Sequence, residues 1–444
     1  MQLLSSLRAA VLLALISLSV HSVAQNELRA SISADYHDSL HDLFVHFHRN
    51  PELSFLEHAT AARLASELRD AGFTVTEGVG GTGLVALMEN GEGPTVMVRA
   101  DMDALPVEER SGLEYASTAK QIDPISGREV PVMHACGHDV HMVSLVATAR
   151  QMAARRDSWS GTLMLIGQPA EERISGARIM REDQIWERFG TPDYAMALHV
   201  MSGLEAGIIN VTEGSPMAGS DSVDIVIHGI GTHGAAPHLG KDPVVLGSQL
   251  VMALQTLVAR ELSPRQPGVV TVGSFHAGSK HNIISDRAEL QLTVRNTNPE
   301  TRQLLLEGIE RIAVNLGRAA GLPEDKLPEV SLNNPGTPPT VNNDELVKRL
   351  RGVWQQQFGE DRVLAVTSSS MGAEDFPYFT SDPAIPSVYF AIGGSAKSDL
   401  DAAANGGPAV PWNHSPMFKI EPELSITRGA EATISALLDL MPAQ

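Results

Sequence analysis

Three short apolar segments, each followed at once by a polar loop, constrain the fold of this chain more than any other feature. They are Thr95–Arg99 (TVMVR), Thr162–Gly167 (TLMLIG) and Tyr194–Leu198 (YAMAL), and helix-like stretches such as Met142–Arg155 lie between them. Near-continuous apolar runs that alternate with helices are typical of a mostly parallel α/β sheet. Because ligands bind at the carboxyl ends of such strands, we expect the residues after these segments to meet in space.

A second pattern, over residues 216–325, predicts a smaller antiparallel α+β domain inserted into the first. The predicted strands and helices, in the order strand, helix, strand, strand, helix, are Val223–His228, Asp242–Leu262, Val269–Phe275, Ala288–Arg295 and Pro299–Ala319. We interpret Leu322–Pro339 as the linker that returns to the main domain and Gly393–Asn413 as a Gly/Pro-rich loop. The main domain is then formed by residues 25–215 and 326–444.

The first 24 residues have the features of a secretory signal peptide. Arg8 precedes an apolar run, Ala9–Leu18, and small residues at Ser22–Ala24 mark the expected cleavage position. The run is shorter than the roughly 20 residues that span a bilayer, and we expect no later segment to approach that length. The sequence therefore predicts a protein secreted across the inner membrane, in the periplasm, with no membrane span. An uncleaved membrane anchor is the alternative.

The net charge and the single cysteine limit which functions the protein can have. The 444 residues carry 33 Lys and Arg against 53 Asp and Glu, a formal charge of -20, which argues against a nucleic-acid partner. The single cysteine, Cys136, excludes an intramolecular disulfide. A lone thiol is unusual in an exported protein, and a metal ion that holds it as a thiolate would explain its presence.

Donor side chains of several types follow the predicted strands. Cys136 and His138 are two residues apart, a spacing that brings both to one ion only on loop or extended backbone; a buried Cys beside surface histidines is the alternative. At Glu171–Glu172, one carboxylate can bind a metal ion while the other accepts a proton from water. Taken alone, such a Glu pair usually lies in a solvated loop. A single histidine such as His199 is usually an ordinary residue with its hydrogen bonds satisfied. Their coincidence at one edge of the sheet predicts a metal site with a general base.

Two acidic residues, Asp101 and Asp103, directly follow the first apolar segment. In this position they can fasten a ligating His or Cys through hydrogen bonds. The alternative is a turn-forming acidic pair, with Pro106 nearby.

With these residues assembled, the chain resembles the M20 metallopeptidase clan, in particular its amidohydrolase branch, which contains hippurate hydrolases and plant auxin-conjugate hydrolases. The matching stretches follow the family order across nearly the whole mature chain. They are RADMDALP at 99–106, MHACGHDVH at 133–141, QPAEE at 168–172, LHV at 198–200, GTHGAAPH at 231–238, NIISDRAELQLTVR at 282–295, MGAEDF at 371–376 and NHSP at 413–416.

The resemblance implies a site for two divalent metal ions, with Glu171 as the general base. Thiolate and imidazole ligands suit Zn, and imidazole and carboxylate also accept Mn, Co or Ni, so the metal stays open. The implied ligands are Cys136, His138, Glu172, His199 and His414.

For the inserted domain, the resemblance implies a ferredoxin-like lid and dimerisation domain on a mostly parallel catalytic domain. His233 would stabilise the oxyanion, often in the active site of the partner subunit of a homodimer. Asn282 and Arg295 would hold the carboxylate or carbonyl of the substrate.

The prediction for function is a binuclear metal-dependent amidohydrolase that cleaves N-acyl amino acids. A dipeptidase or carboxypeptidase on the same scaffold is one alternative. A periplasmic metal- or peptide-binding protein without catalysis is another, although a carboxylate held off the metal, as Glu171 would be, has no use in a pure binder.

Overall fold

The computed structural model describes residues 26–333, 336–367 and 371–444, so the predicted signal peptide lies outside the described residues. The chain divides into two compact units. One comprises the residues up to Gly214 with Asn342–Val366 and Asp382–Gln444, and the other comprises Ser215–Val341 and Thr367–Ser381. The second unit is thus longer than the segment 216–325 that the sequence pattern indicated.

The strands and helices are numbered in chain order. The strands are β1 (Thr74–Val79), β2 (Gly83–Asn90), β3 (Thr95–Asp101), β4 (Lys120–Ile122), β5 (Glu129–Pro131), β6 (Gly161–Gln168), β7 (Tyr194–Glu205), β8 (Ile209–Asn210), β9 (Gly214–Met217), β10 (Gly219–His228), β11 (Thr232–His233), β12 (Gly268–Ala277), β13 (Ile283–Ile284), β14 (Arg287–Asn296), β15 (Glu329–Leu332), β16 (Thr340–Asn342), β17 (Val363–Leu364) and β18 (Ser387–Ser395). The helices are α1 (26–35), α2 (His41–Arg49), α3 (His58–Asp70), α4 (His138–Ala154), α5 (Gly176–Glu182), α6 (Ile185–Phe189), α7 (Pro243–Thr256), α8 (Pro299–Ala319), α9 (Asp344–Phe358), α10 (Pro377–Thr380), α11 (Lys397–Ala404) and α12 (Pro422–Leu440).

A mostly parallel sheet forms the centre of the first unit. Among the described residues its strand order is β1-β2-β6-β3-β7-β18-β8-β17. Strands β6, β3, β7 and β18 run parallel to one another. At one edge β2 pairs antiparallel with β6 and β1 with β2, and at the other edge β8 pairs antiparallel with β18. The three apolar segments of the sequence lie in β3, β6 and β7, which are buried over most of their length. The predicted mostly parallel α/β sheet is confirmed.

Two predicted boundaries in this unit were wrong. Strand β7 does not end before His199 but continues to Glu205, because β18 extends alongside it and pairs with it through Ser395 and Glu205. The predicted loop Gly393–Asn413 contains the end of β18 and the short helix α11. Pairing between β7 and β18 extended both strands beyond their apolar runs, whereas α11 is a separate helix within the Gly- and Pro-rich segment.

Helix α4 is the central helix of the first unit. Nearly all of its residues are buried, because it packs against α12, α2 and α3 as well as against strands of the sheet. It begins at His138, one turn earlier than the predicted Met142. As a result, the Cys136 and His138 motif lies at the N-terminal end of a helix that the core holds in place.

The core of the second unit is an antiparallel sheet against which helices α7 and α8 pack. Its strand order is β12-β14-β10-β15, and α7 and α8 contribute apolar side chains to its core. The segment Leu322–Pro339, which was predicted to be a linker, contains β15, which pairs with β10. This fourth strand completes the strand and helix order of the ferredoxin-like fold.

One part of the described chain is long and apolar enough to cross a membrane by length and composition. It is Pro243–Glu261, comprising α7 and the π-helical turn after it, and the expectation that no later segment approaches that length was wrong. One such helix is a weak indication, because core helices of soluble proteins meet the same criterion.

Candidate metal centre and active site

Glycine at position 137 places Cys136 and His138 on either side of a sharp backbone turn. Gly137 is the N-terminal cap of α4 and has φ of 85°, in the left-handed region. A Cβ atom here would lie only 2.3 Å from a side-chain methyl of Val200. Glycine is therefore required by both the backbone and the packing. Because of this turn, Cys136 lies in a loop and His138 begins the helix, and both are buried.

The five predicted ligands converge in the first unit. The Sγ atom of Cys136 lies 3.4 Å from Nε2 of His199 and 3.3 Å from Nε2 of His414. The Oε1 atom of Glu172 lies 3.5 Å from Nε2 of His414 and 3.9 Å from Nε2 of His138. These residues come from four separate segments of the chain, and their convergence is compatible with metal binding. Their roles as ligands stay predictions.

Hydrogen bonds to backbone carbonyls orient two of the imidazoles. Nδ1 of His138 lies 2.8 Å from the carbonyl oxygen of Asp103, and Nδ1 of His199 lies 2.8 Å from the carbonyl oxygen of Val200. A carbonyl can only accept a hydrogen bond, so Nδ1 of each ring must donate. When the rings are neutral, the lone pair is on Nε2, which faces the other donors. This is the tautomer that binds a metal through Nε2.

The electrostatics of the cluster favour a cation. Burial raises the pKa of the Cys136 thiol well above its usual value, and burial also raises the pKa of Glu172 to about 8. Burial alone would lower the pKa of His138, but the charge of Asp101 helps raise it well above the usual value. A positive charge is therefore favoured among these groups, and a divalent ion would stabilise the thiolate and carboxylate.

Two buried polar atoms provide a further test of fit to a metal ion. Within the described part of the chain, Nε2 of His138 and Oε1 of Glu172 are buried and have no hydrogen-bond partner. Buried polar atoms are normally paired, and an ion between them would satisfy both. The donor set of thiol, imidazole and carboxylate fits a divalent transition metal.

The Glu171–Glu172 pair lies on a short 3-10 turn directly after β6. The carboxylate of Asp103 accepts hydrogen bonds from the backbone N–H of Glu171 at 3.1 Å and of Glu172 at 3.0 Å. Oε2 of Glu171 lies 3.9 Å from Nε2 of His138. Asp103 therefore fastens the carboxylate pair through its side chain and His138 through its backbone, and the predicted base lies beside the predicted ligands.

Sequence reasoning missed Glu57, a buried residue directly before α3. Its Oε1 atom accepts a hydrogen bond from the N–H of Ala170, the residue before the carboxylate pair, at 2.8 Å. A single Glu at the start of a stretch with helical spacing of apolar residues resembles any acidic helix start, so the sequence carried no signal of this contact.

Asp101 acts through His141, which lies on the first turns of α4. Asp101 receives an ion-paired hydrogen bond from Arg99 at 2.7 Å and a hydrogen bond from Nδ1 of His141. Nε2 of His141 accepts the backbone N–H of Val200 at 2.8 Å. Both ring nitrogens are therefore occupied, and His141 positions the strand that carries His199.

Three other predicted site residues lie in the second unit. His233, in β11, is exposed, and its Nδ1 accepts a hydrogen bond from the N–H of Ala235 at 3.0 Å. Asn282 is exposed and directly precedes β13. Arg295, in β14, is half-buried and donates to the hydroxyl of Ser220 at 2.5 Å; burial lowers its pKa. Their predicted roles toward the substrate stay predictions.

Comparison with known proteins identifies the family. Residues 97–407 match the model of peptidase family M20/M25/M40. Hippurate hydrolase of Campylobacter jejuni is 38% identical over 334 residues, which cover 75% of this chain and 82% of that protein. Thermostable carboxypeptidase 2 of Saccharolobus solfataricus is 37% identical over 354 residues, which cover 78% and 83%. The YXEP protein of Bacillus subtilis, a dinuclear metal-binding peptidase, is 26% identical with a TM-score of 0.74, covering 93% of this chain and 100% of that chain. The chain belongs to peptidase family M20/M25/M40 and is a hydrolase of that family.

Proposed function

We propose that the protein is a binuclear metal-dependent amidohydrolase that cleaves the amide bond of N-acyl amino acids. The observation that carries the proposal is the position of Glu171, whose Oε2 lies 3.9 Å from Nε2 of His138, beside the donor cluster but on a turn fixed by Asp103. A carboxylate held next to a ligand set is placed to accept and return a proton.

The five converging donors are assigned as the ligands. Bound divalent ions would polarise the amide carbonyl and lower the pKa of a water molecule toward roughly 7. Two groups of potential ligand atoms, each with its atoms within 4.8 Å of one another, support more than one ion. These groups are Cys136 with His138 and His199, and Cys136 with Glu172 and His414.

Glu171 has two tasks in this mechanism. Its carboxylate accepts the proton of the attacking water and then delivers that proton to the nitrogen of the leaving amine. One residue can serve both steps because the proton stays on its carboxyl group between them. His233 is proposed to stabilise the negative charge on the carbonyl oxygen, and Asn282 and Arg295 to bind the substrate carboxylate or carbonyl. These three roles rest on the family resemblance.

The substrate class is supported by the relatives. Hippurate, the amide of benzoic acid with glycine, is an N-acyl amino acid, and the hippurate hydrolase of Campylobacter jejuni is 38% identical to this chain. A carboxypeptidase is the second candidate, because thermostable carboxypeptidase 2 is 37% identical over a similar share of the chain. Both reactions release an amine from an amide, so the metal site does not distinguish them.

The test is hydrolysis of N-acetyl, N-hexanoyl and N-benzoyl amino acids and, in separate assays, of unblocked dipeptides. The protein is treated with a chelator and then given Zn, Mn, Co or Ni one at a time. We expect activity on the acylated substrates to be lost on chelation and restored by metal. Turnover confined to dipeptides would favour the carboxypeptidase reading, and absence of turnover with every metal would contradict both.

A matched pair of variants tests the role of Glu171. Glu171→Gln should lower kcat by at least about 100-fold and leave the bound metal unchanged, because the amide cannot accept the proton. Glu182, which is exposed on α5 and pairs with Arg178, provides the control, and Glu182→Gln should retain full activity. Retained activity in Glu171→Gln would contradict the assignment.

We also propose that the mature protein is exported to the periplasm as a homodimer. Export rests on the signal-like first 24 residues, and the dimer rests on the family resemblance of the second unit. N-terminal sequencing of the protein from a periplasmic fraction and sedimentation equilibrium of the purified protein test the two statements separately.

A further inference from the structure

The turn that carries Glu171 has an unfavourable backbone conformation at both ends. Ala170, before the turn, has φ of 49°, and Ile174, after it, has φ of 50°. Residues with a Cβ atom rarely adopt this left-handed region, and for a β-branched residue such as Ile174 it is a clear outlier. Such a turn keeps its shape only where the surrounding groups hold it.

Two buried carboxylates from distant parts of the sequence hold this turn. Oε1 of Glu57 accepts the N–H of Ala170 at 2.8 Å. The carboxylate of Asp103 accepts the next two N–H groups, those of Glu171 and Glu172, at 3.1 and 3.0 Å. Three consecutive backbone donors are thus satisfied by side chains instead of by a helix or a strand. The path of the backbone into Glu171 therefore depends on Glu57 as well as on Asp103.

The environment of Glu57 indicates a role beyond packing. The residue is 0% exposed, and its second oxygen, Oε2, accepts a hydrogen bond from the hydroxyl of Thr82 at 2.6 Å. Both of its donors, this hydroxyl and the N–H of Ala170, are neutral groups. Burying a carboxylate is costly, and neutral donors offset that cost less than a cation would. A buried polar side chain of this length is explained if its contact with Ala170 matters for the turn.

We propose that Glu57 is a positioning residue that sets the place of the Glu171 carboxylate by fixing the N–H of Ala170. The inference rests on the proposed role of Glu171 as the general base. Glu57 lies outside the ligand cluster and acts only through the backbone. Without its hydrogen bond, Ala170 is free to leave the left-handed region, and the backbone of Glu171 moves with it. A base must lie within hydrogen-bond reach of the proton that it accepts, so a small displacement lowers turnover.

The experiment compares Glu57→Ala, Glu57→Asp and Glu57→Gln in the metal-loaded full-length mature protein. Gln has the same length as Glu, and its carbonyl can accept from Ala170 while its amide donates to the hydroxyl of Thr82. Asp keeps the charge, but its shorter side chain withdraws the carboxylate from Ala170. The matched control is Glu67→Ala, because Glu67, on α3, is a buried Glu like Glu57 but pairs with Arg150.

We expect Glu57→Ala and Glu57→Asp to lower kcat by about tenfold to 100-fold, with KM and bound metal per chain unchanged. Glu57→Gln should keep a kcat close to that of the wild type. Glu67→Ala should lower the melting temperature but leave kcat unchanged when it is measured well below that temperature. This combination separates positioning from a loss of folded protein, because a smaller folded fraction would lower the metal bound per chain in parallel with kcat.

Three results would overturn the inference. They are a wild-type kcat in both Glu57→Ala and Glu57→Asp, an equal loss in Glu57→Gln, and a loss of metal that parallels the loss of kcat. If Glu57→Ala does not fold, Glu57→Asp and Glu57→Gln decide the question. A wild-type protein that hydrolyses no amide with any metal would overturn the proposed function and this inference with it. An active wild type with an inactive Glu171→Gln and a fully active Glu57→Asp would overturn this inference alone.

Discussion

Replacement of His48 by Gln should remove a large pH dependence from the free energy of unfolding. His48, on α2, is buried with Nδ1 2.7 Å from Oδ2 of Asp139 and Nε2 3.1 Å from Oε1 of Glu109. Burial alone would lower the pKa of this imidazole, but the hydrogen bonds and charges of Asp139 and Glu109 outweigh burial and raise it from 6.5 to about 9. With both nitrogens facing carboxylates, the ring is bound as the imidazolium.

The sign and size of the effect follow from the two pKa values. The pKa is higher in the folded than in the unfolded protein, so the stabilisation is fully present below about pH 6.5 and is lost as the pH rises through about 9. Each unit of pKa shift corresponds to about 1.4 kcal/mol, so the rise from 6.5 to about 9 is worth about 3 kcal/mol. Between neutral and alkaline pH, the free energy of unfolding of the wild type should therefore fall by about 3 kcal/mol more than that of His48→Gln.

Urea unfolding of the chelator-treated protein at a series of pH values between 6 and 9.5 provides the measurement. The wild type and His48→Gln are compared, and other titrating groups contribute equally to both. His46→Gln is the control, because His46 lies on the same helix but is exposed to solvent. Its pH dependence above neutral pH should match that of the wild type. Parallel curves for the wild type and His48→Gln would refute the reasoning.

Three further predictions concern the candidate site. Asp103→Asn should lower kcat by about 10- to 100-fold with little change in KM, because an amide cannot accept the N–H groups of both Glu171 and Glu172 as the carboxylate does; steady-state kinetics test this. Cys136→Ser should lower the metal bound per chain, as measured by plasma mass spectrometry after dialysis, and unchanged stoichiometry would contradict its role as a ligand. His141→Ala should weaken metal affinity about 10- to 100-fold, because the backbone N–H of Val200 in β7 loses its acceptor. Competition with a chromophoric chelator measures the affinity, and an unaltered value would contradict the role of His141 in positioning β7.

The strands that the sequence predicted correctly are those whose own residues decide their structure. The apolar runs in β3, β6 and β7 have few polar residues, so both of their faces can be buried, and their short length favours strands over helices. Strand β15 was missed because its residues are mostly exposed and it exists through pairing with β10. The two-residue strands β8 and β17 likewise depend on their neighbours, so no local pattern could reveal them.

The candidate ligands could be predicted because their chemistry is visible in the sequence. A thiol, imidazoles and paired carboxylates at the ends of apolar runs are uncommon together. In the structure, Nε2 of His199 and Nε2 of His414 lie 3.4 and 3.3 Å from Sγ of Cys136. Glu57 could not be found in this way. Its importance lies in a hydrogen bond to a backbone N–H more than a hundred residues away, which only the folded chain defines.

The same distinction separates two kinds of residue within the site. His138 and His199 are oriented by the carbonyl oxygens of Asp103 and Val200, and every residue type supplies such an oxygen. The tautomer of each imidazole therefore depends on the path of the backbone. It should not change when the side chain of the residue that supplies the carbonyl is replaced. The turn of Glu171 is different, because its N–H groups require side-chain acceptors at defined positions. Mutations should accordingly divide by their effect: loss of a ligand removes metal, whereas loss of a side-chain acceptor that holds the turn leaves the metal bound and slows the reaction.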